Sequence, residues 1–139
     1  MNELTNIIEL SIKNTLKQIE VIEPKVVHNI YFGAYEISPC NLVICYFFKT
    51  NEEWNNAKNN KFTVEISKLT ISNMIQNGYP SSAFDVNIIP LKKHKFASAT
   101  KEQEKEYIKS MTHRKVEICF ASKEDVDKKA NGNYYYYFK

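Results

Sequence analysis

The sequence predicts a single α+β domain, with a largely antiparallel sheet of about five strands and an N-terminal helix and further helices packed on it. Three observations carry that prediction. Residues 3–20 show apolar side chains at helical spacing; residues 25–48 are dense in β-branched and aromatic side chains and are broken by Ser38-Pro39-Cys40-Asn41. The C-terminus then combines the helix-start signal Ser122-Lys-Glu-Asp125, the turn Asn131-Gly132-Asn133 and the aromatic run Tyr134–Phe138.

Taken in order, Leu4, Ile7, Ile8, Ile12, Leu16 and Ile19 recur every three or four residues, as one face of an amphipathic helix requires. Glu3, Glu9, Lys13 and Lys17 occupy the opposite face. Pro24 cannot continue the helix, and from Lys25 to Ile37 the period shifts towards two. Both faces of this stretch are partly apolar, so it reads as a long central strand. Leu42 to Phe48 reads as its hairpin partner across the Ser38–Asn41 turn. Thr50-Asn-Glu-Glu53 is a capping box, in which threonine and glutamate satisfy each other's unpaired backbone donors, and a helix follows to about Lys58. A second helix is expected over Thr63–Asn77, closed by Gly78 in a left-handed conformation with Pro80 beyond. Phe84–Leu91 reads as a third strand and residues 92–100 as loop. Thr100-Lys-Glu-Gln103 opens a helix to Met111, and Arg114–Ala121 alternates as a strand with one wet face. A short helix after Ser122 and a final strand over the aromatic run complete the order. Alternation in that strand sends Tyr134, Tyr136 and Phe138 to one face and Tyr135 and Tyr137 to the other.

The 139 residues suit one domain, with no repeat, linker or low-complexity tract to divide them. At 43% hydrophobic and 13% aromatic, with three Gly and four Pro, the composition is globular and far from that of disordered chains. The net charge of +3 is a small difference between 19 basic and 16 acidic groups, so nucleic acid is disfavoured as a partner. Cys40, Cys45 and Cys119 lack the close pairing of a zinc knuckle, so no metal site and no cofactor is expected. Glu3 and Glu9 stand where a secretory signal needs positive charge, and no apolar run spans a bilayer. A cytoplasmic protein without membrane association is the simplest expectation.

Reaction chemistry finds little support. His28 lies in the proposed strand beside Asn29 with no carboxylate or hydroxyl at catalytic spacing. His94 stands between lysines and His113 beside Arg114, which suits phosphate contact but also suits a solvated loop. Glu102, Glu104 and Glu106 interleave with Lys101, Lys105 and Lys109, the pattern of a solvated helix face and not of a metal pair. No glycine-rich phosphate loop, nucleophile elbow or zinc-protease motif occurs. The chain is therefore expected not to be an enzyme, with no catalytic residues.

The aromatic side chains remain. Tyr135 and Tyr137, facing solvent near Tyr31 or Tyr35, make an amphipathic patch of the kind enriched at protein interfaces, with Trp54 after the capping box as a further anchor. The plainer reading is that these rings pack inward or stabilise the sheet across strands. An RNA-stacking sheet lacks its K/R-G-F/Y motif here. The basic cluster Lys92, Lys93 and Lys95 completes the candidate protein-binding residues.

Phe120-Ala-Ser122-Lys-Glu124 together with Gly132-Asn133-Tyr134, about a fifth of the chain, resembles the bacterial immunity proteins of toxin-immunity systems. That resemblance implies a cytosolic inhibitor that forms a heterodimer with one cognate protein toxin and blocks its active site. No family site residue maps onto this chain, and the slight positive charge departs from the acidic character common among immunity proteins directed at nucleases. The alternative is a small nucleic-acid-binding protein or nuclease acting through Lys92, Lys93, Lys95, His94 and His113. A third expectation is a homo-oligomer formed by pairing of the exposed terminal strand.

Overall fold

A computed structural model of the chain describes residues 3–84 and 115–138. Helix α1 (Glu3–Gln18) buries Ile8 and Ile12 together with Ser11 and Thr15. Strand β1 (Val26–Phe32) and strand β2 (Val43–Phe48) form the expected hairpin, with Ile30 opposite Cys45 and Phe32 opposite Val43. A 3-10 turn over Pro39–Asn41 lies in the connection. Helix α2 (Asn51–Asn59) starts at the predicted capping box: the Glu53 amide donates to Thr50 Oγ1 at 3.1 Å and the Thr50 amide to Glu53 Oε2 at 3.2 Å. Helix α3 (Phe62–Gln76) ends at Gly78 in the left-handed region. There the Tyr79 amide donates to the Met74 carbonyl and the Gly78 amide to the Ile75 carbonyl, the paired bonds of a Schellman motif. Strand β3 (Glu117–Ser122) passes directly into helix α4 (Lys123–Ala130), whose start is capped by Ser122 accepting from the Asp125 amide at 3.0 Å.

The class is α+β, with an N-terminal helix and, among the described residues, a sheet of three strands in the order β1-β2-β3 where about five were expected. Three expectations need correction. First, β3 runs parallel to β2, with Cys45 opposite Cys119 and Phe47 opposite Ala121, so the sheet is mixed. Parallel neighbours require a long crossover, and α2 and α3 lie within it. Second, the central strand is β2. β1 is shorter than predicted, ending at Phe32, because Gly33 takes φ +113° and turns the chain away. Third, Tyr134–Phe138 is not a strand. The Asn133 side chain accepts from the Tyr136 amide at 2.9 Å and its carbonyl accepts from the Tyr137 amide at 3.1 Å, winding the run into a 3-10 turn over Tyr136–Phe138. Self-association by pairing of a terminal strand loses its basis with that correction. The predicted strand after Phe84, the loop at 92–100 and the helix from Thr100 lie outside the described residues.

Strand β2 explains the layering. Every position from Ile44 to Phe48 is fully buried, so both of its faces must be covered. Ile44, Tyr46 and Phe48 enter the main core with Ile8 and Ile12 of α1 and Ile66 and Met74 of α3. Cys45 and Phe47 enter a second, smaller core with Ile30, Ala121, and Val126 and Ala130 of α4. Polar groups inside the main core are paired. The Tyr46 and Thr70 hydroxyls meet at 2.8 Å, and burial pushes the Tyr46 phenol up to about 12. Between α1 and α3, the Asn73 amide donates to Thr15 Oγ1 and Gln18 Oε1, each at 2.9 Å, which fixes the two helices in register.

At the end of β1, a Cβ on Gly33 would lie 1.9 Å from the Asn41 carbonyl oxygen, and the residue is in the left-handed region besides. Gly33→Ala is therefore expected to lower stability by at least about 2 kcal/mol, read as a shift of the urea midpoint, because backbone and not a movable side chain blocks it.

Candidate functional site

Tyr31, near the end of β1, and Tyr35, in the turn that follows, stack with ring centroids 6.2 Å apart. Each phenol is held by α1: Tyr31 donates to the Glu9 carboxylate, and the Tyr35 hydroxyl meets Thr5 Oγ1 at 2.6 Å. Burial pushes the Tyr31 phenol up, and the Glu9 carboxylate pushes it further. Tyr35 reaches Tyr31 through the turn and not along a strand, since β1 ends at Phe32. Beside Tyr31 an open groove of about 300 Å³ runs between α1 and β1, lined by Glu9, Ile12, Lys13, Leu16 and Asn29.

The C-terminal run divides as a turn and not as a strand. Tyr134 and Tyr137, three residues apart, pack against the second core. Tyr134 stacks on His28 at 3.9 Å and meets Phe47 edge-on at 4.6 Å. Although His28 stays exposed, partial desolvation lowers its imidazole from the ordinary value. Tyr137 lies edge-on to Phe47 and donates its hydroxyl to the Asp125 carboxylate of α4. The same bond is the first cause of a lowered Asp125 carboxyl, reinforced by Lys129 at 3.2 Å. Tyr137, expected as a surface anchor beside Tyr135, is thus directed inward and tethers the C-terminus to α4.

Tyr135 and Tyr136 point the other way, 57% and 60% exposed, while Phe138, 38% exposed, lies between, edge-on to Phe47 at 6.3 Å. Phe32 of β1 anchors this group, 6.5 Å from the Tyr135 ring and 5.2 Å from Phe138. Tyr31 and Tyr35 pack against the main core, on the other side of the sheet from Phe32, which packs on the second core. Of the sequence-predicted residues, Tyr31 and Tyr35 are brought together on the main-core side, whereas Tyr135 meets Phe32 on the other side of the sheet. Trp54 lies apart, half-buried on α2 against the main core, and Lys92, Lys93 and Lys95 lie outside the described residues. Phe32, Tyr136 and Phe138 belong to the surface and were not singled out from sequence. Asn133 carried the signal: an Asn before an aromatic run favours a turn, which replaces a two-residue period by one close to three.

Chemically, this surface offers rings, phenols and amides. Among the described residues no group of three or more His, Cys, Asp or Glu side chains is placed to hold a metal ion, and no helix is long and apolar enough to cross a membrane. Comparison with protein-family models, with curated proteins and with solved structures returns no match.

Replacing Tyr137 by Phe removes the hydroxyl that favours ionised Asp125. A carboxyl whose folded pKa is depressed contributes stability above its unfolded range and loses it as pH falls through the folded value. Tyr137→Phe should therefore cost about 1 kcal/mol at neutral pH and progressively less towards strong acid, with the Asp125 titration moved up. Chemical denaturation across pH, with NMR titration of Asp125, checks both.

Proposed function

We propose that this chain is a non-catalytic protein-binding domain, most specifically a cytosolic immunity protein that binds and neutralises a cognate bacterial toxin. The observation that carries the reading is the exposed aromatic surface of Tyr135 and Phe138 set on Phe32, with Tyr136 exposed between them in the chain. Large apolar rings exposed side by side cost solvation unless a partner covers them, and Tyr supplies binding energy at low entropic cost. The rings are also positioned before binding. Asn133 fixes the turn, and Tyr134 and Tyr137 clamp it to the second core. A pre-ordered surface loses less entropy on association than a flexible tail would.

The resemblance to immunity proteins adds the partner's class. Its two segments are the joint between β3 and α4, and the turn that launches the aromatic run. Inhibition by surface occlusion needs no acid, base or metal from the inhibitor, which fits a surface made of rings. A phenol can fill a pocket on the toxin while the surrounding contacts exclude water.

Co-expression with the product of the neighbouring gene is expected to give a heterodimer and to protect the host cell from that product. Substitution of Tyr135 and Tyr136 together by Ser, both exposed in the free protein, should leave thermal stability nearly unchanged. It should weaken the complex by about 2 kcal/mol, or roughly thirtyfold in Kd by calorimetry. Failure of the unaltered protein both to bind and to protect would remove the proposal; binding that the double variant leaves intact would relocate the surface.

A further inference from the structure

Two of the three thiols share one face of the sheet. Cys45 of β2 and Cys119 of β3 are direct partners in the parallel register and lie together in the second core, with Cys45 fully buried and Cys119 half-buried. Cys40 sits in the 3-10 turn before β2 and packs against the main core on the opposite face, which takes it out of reach of the pair. Neighbouring strands lie about 4.8 Å apart, inside the Cα separation of roughly 4.4–6.8 Å that a disulfide spans. Their Cβ atoms must still draw together by about 1 Å from the strand spacing, because a disulfide holds them about 3.8 Å apart. A bond made against such strain is readily reduced, so it belongs to the labile and not to the structural kind.

We propose that Cys45 and Cys119 form a reversible oxidative modification site, closing to an intramolecular disulfide in the presence of a hydroperoxide. Exposure divides the roles. Cys119, the more accessible sulfur, attacks the peroxide oxygen as its thiolate; the O–O bond breaks, a sulfenic acid forms and water leaves after proton uptake. The Cys45 thiol then gives up its proton, its sulfur displaces the hydroxyl as a second water, and the S–S bond closes. Two thiols are oxidised by two electrons in total, and one hydroperoxide is reduced. Hydrogen bonding to Cys119 and then burial push the Cys45 thiol up, which suits a resolving group that waits for its neighbour to be oxidised and does not react first. The closed bond staples β2 to β3 beneath Tyr137, whose ring packs on the same cluster. The site stands independently of the binding surface and of its partner.

Native full-length protein treated with a modest excess of hydrogen peroxide and then alkylated is expected to lose the mass of two hydrogen atoms and to take up one alkyl group instead of three. Peptide mapping should join Cys45 to Cys119, and dithiothreitol should restore the starting mass. Cys40→Ser should oxidise as the wild type does, whereas Cys119→Ser should block closure. Oxidation in urea, where all three pairings become accessible, provides the contrast: the native protein should give a single pairing and the unfolded chain several. Oxygen addition at Cys119 without closure, a link through Cys40, or an inert native pair would each overturn the proposal.

Discussion

The constraint on which the rest depends is strand β2, Val43–Phe48, six apolar residues in a row at the centre of the sheet. A strand with one apolar face needs one covering layer; this one needs two, since Ile44, Tyr46 and Phe48 lie on one side and Cys45 and Phe47 on the other. Burying five such side chains contributes on the order of 10 kcal/mol before entropy is counted, more than any polar contact in the molecule. Helices α1 and α3 cover the first face. The second face is left to α4 and the aromatic C-terminus, which explains why a tyrosine-rich tail is ordered at all.

That demand connects directly to the candidate surface. Covering Phe47 uses Tyr134 and Tyr137, and a chain that turns every third residue to bring those two inward must send Tyr135 and Tyr136 outward. The exposed rings are therefore the reverse side of a packing solution, held by the same turn that closes the second core. Parallel pairing of β2 with β3 has a similar double consequence. It sets two helix starts side by side, where the Glu124 carboxylate accepts from the Asn51 amide at 3.0 Å and Ser122 donates to the Asn51 side chain. The same register brings Cys45 and Cys119 opposite each other.

Local chemistry was legible in the sequence wherever it is settled within a few residues. The Thr50-Glu53 box, the Ser122 cap, the left-handed Gly78 and the Ser38–Asn41 turn all formed as their spacing predicts, because each satisfies its own backbone donors or its own φ requirement. Reading β1 as central failed for a reason that periodicity cannot see: both of its faces are partly apolar, but the uninterrupted run in β2 is the stronger signature of burial. The tail misled because tyrosine favours strands in general, while here packing on Phe47 and the Asn133 turn outweighed that preference.

What the amino-acid order determined alone is the α+β class, the boundaries of most elements and the residue types available for recognition, since helix period, caps and turns are properties of neighbours along the chain. Which tyrosines lie inward, which strand is central, and which two cysteines meet were decided only by tertiary structure. Those outcomes depend on contacts between segments tens of residues apart, where the burial of Val43–Phe48 on two faces chooses among arrangements that local preference leaves equal.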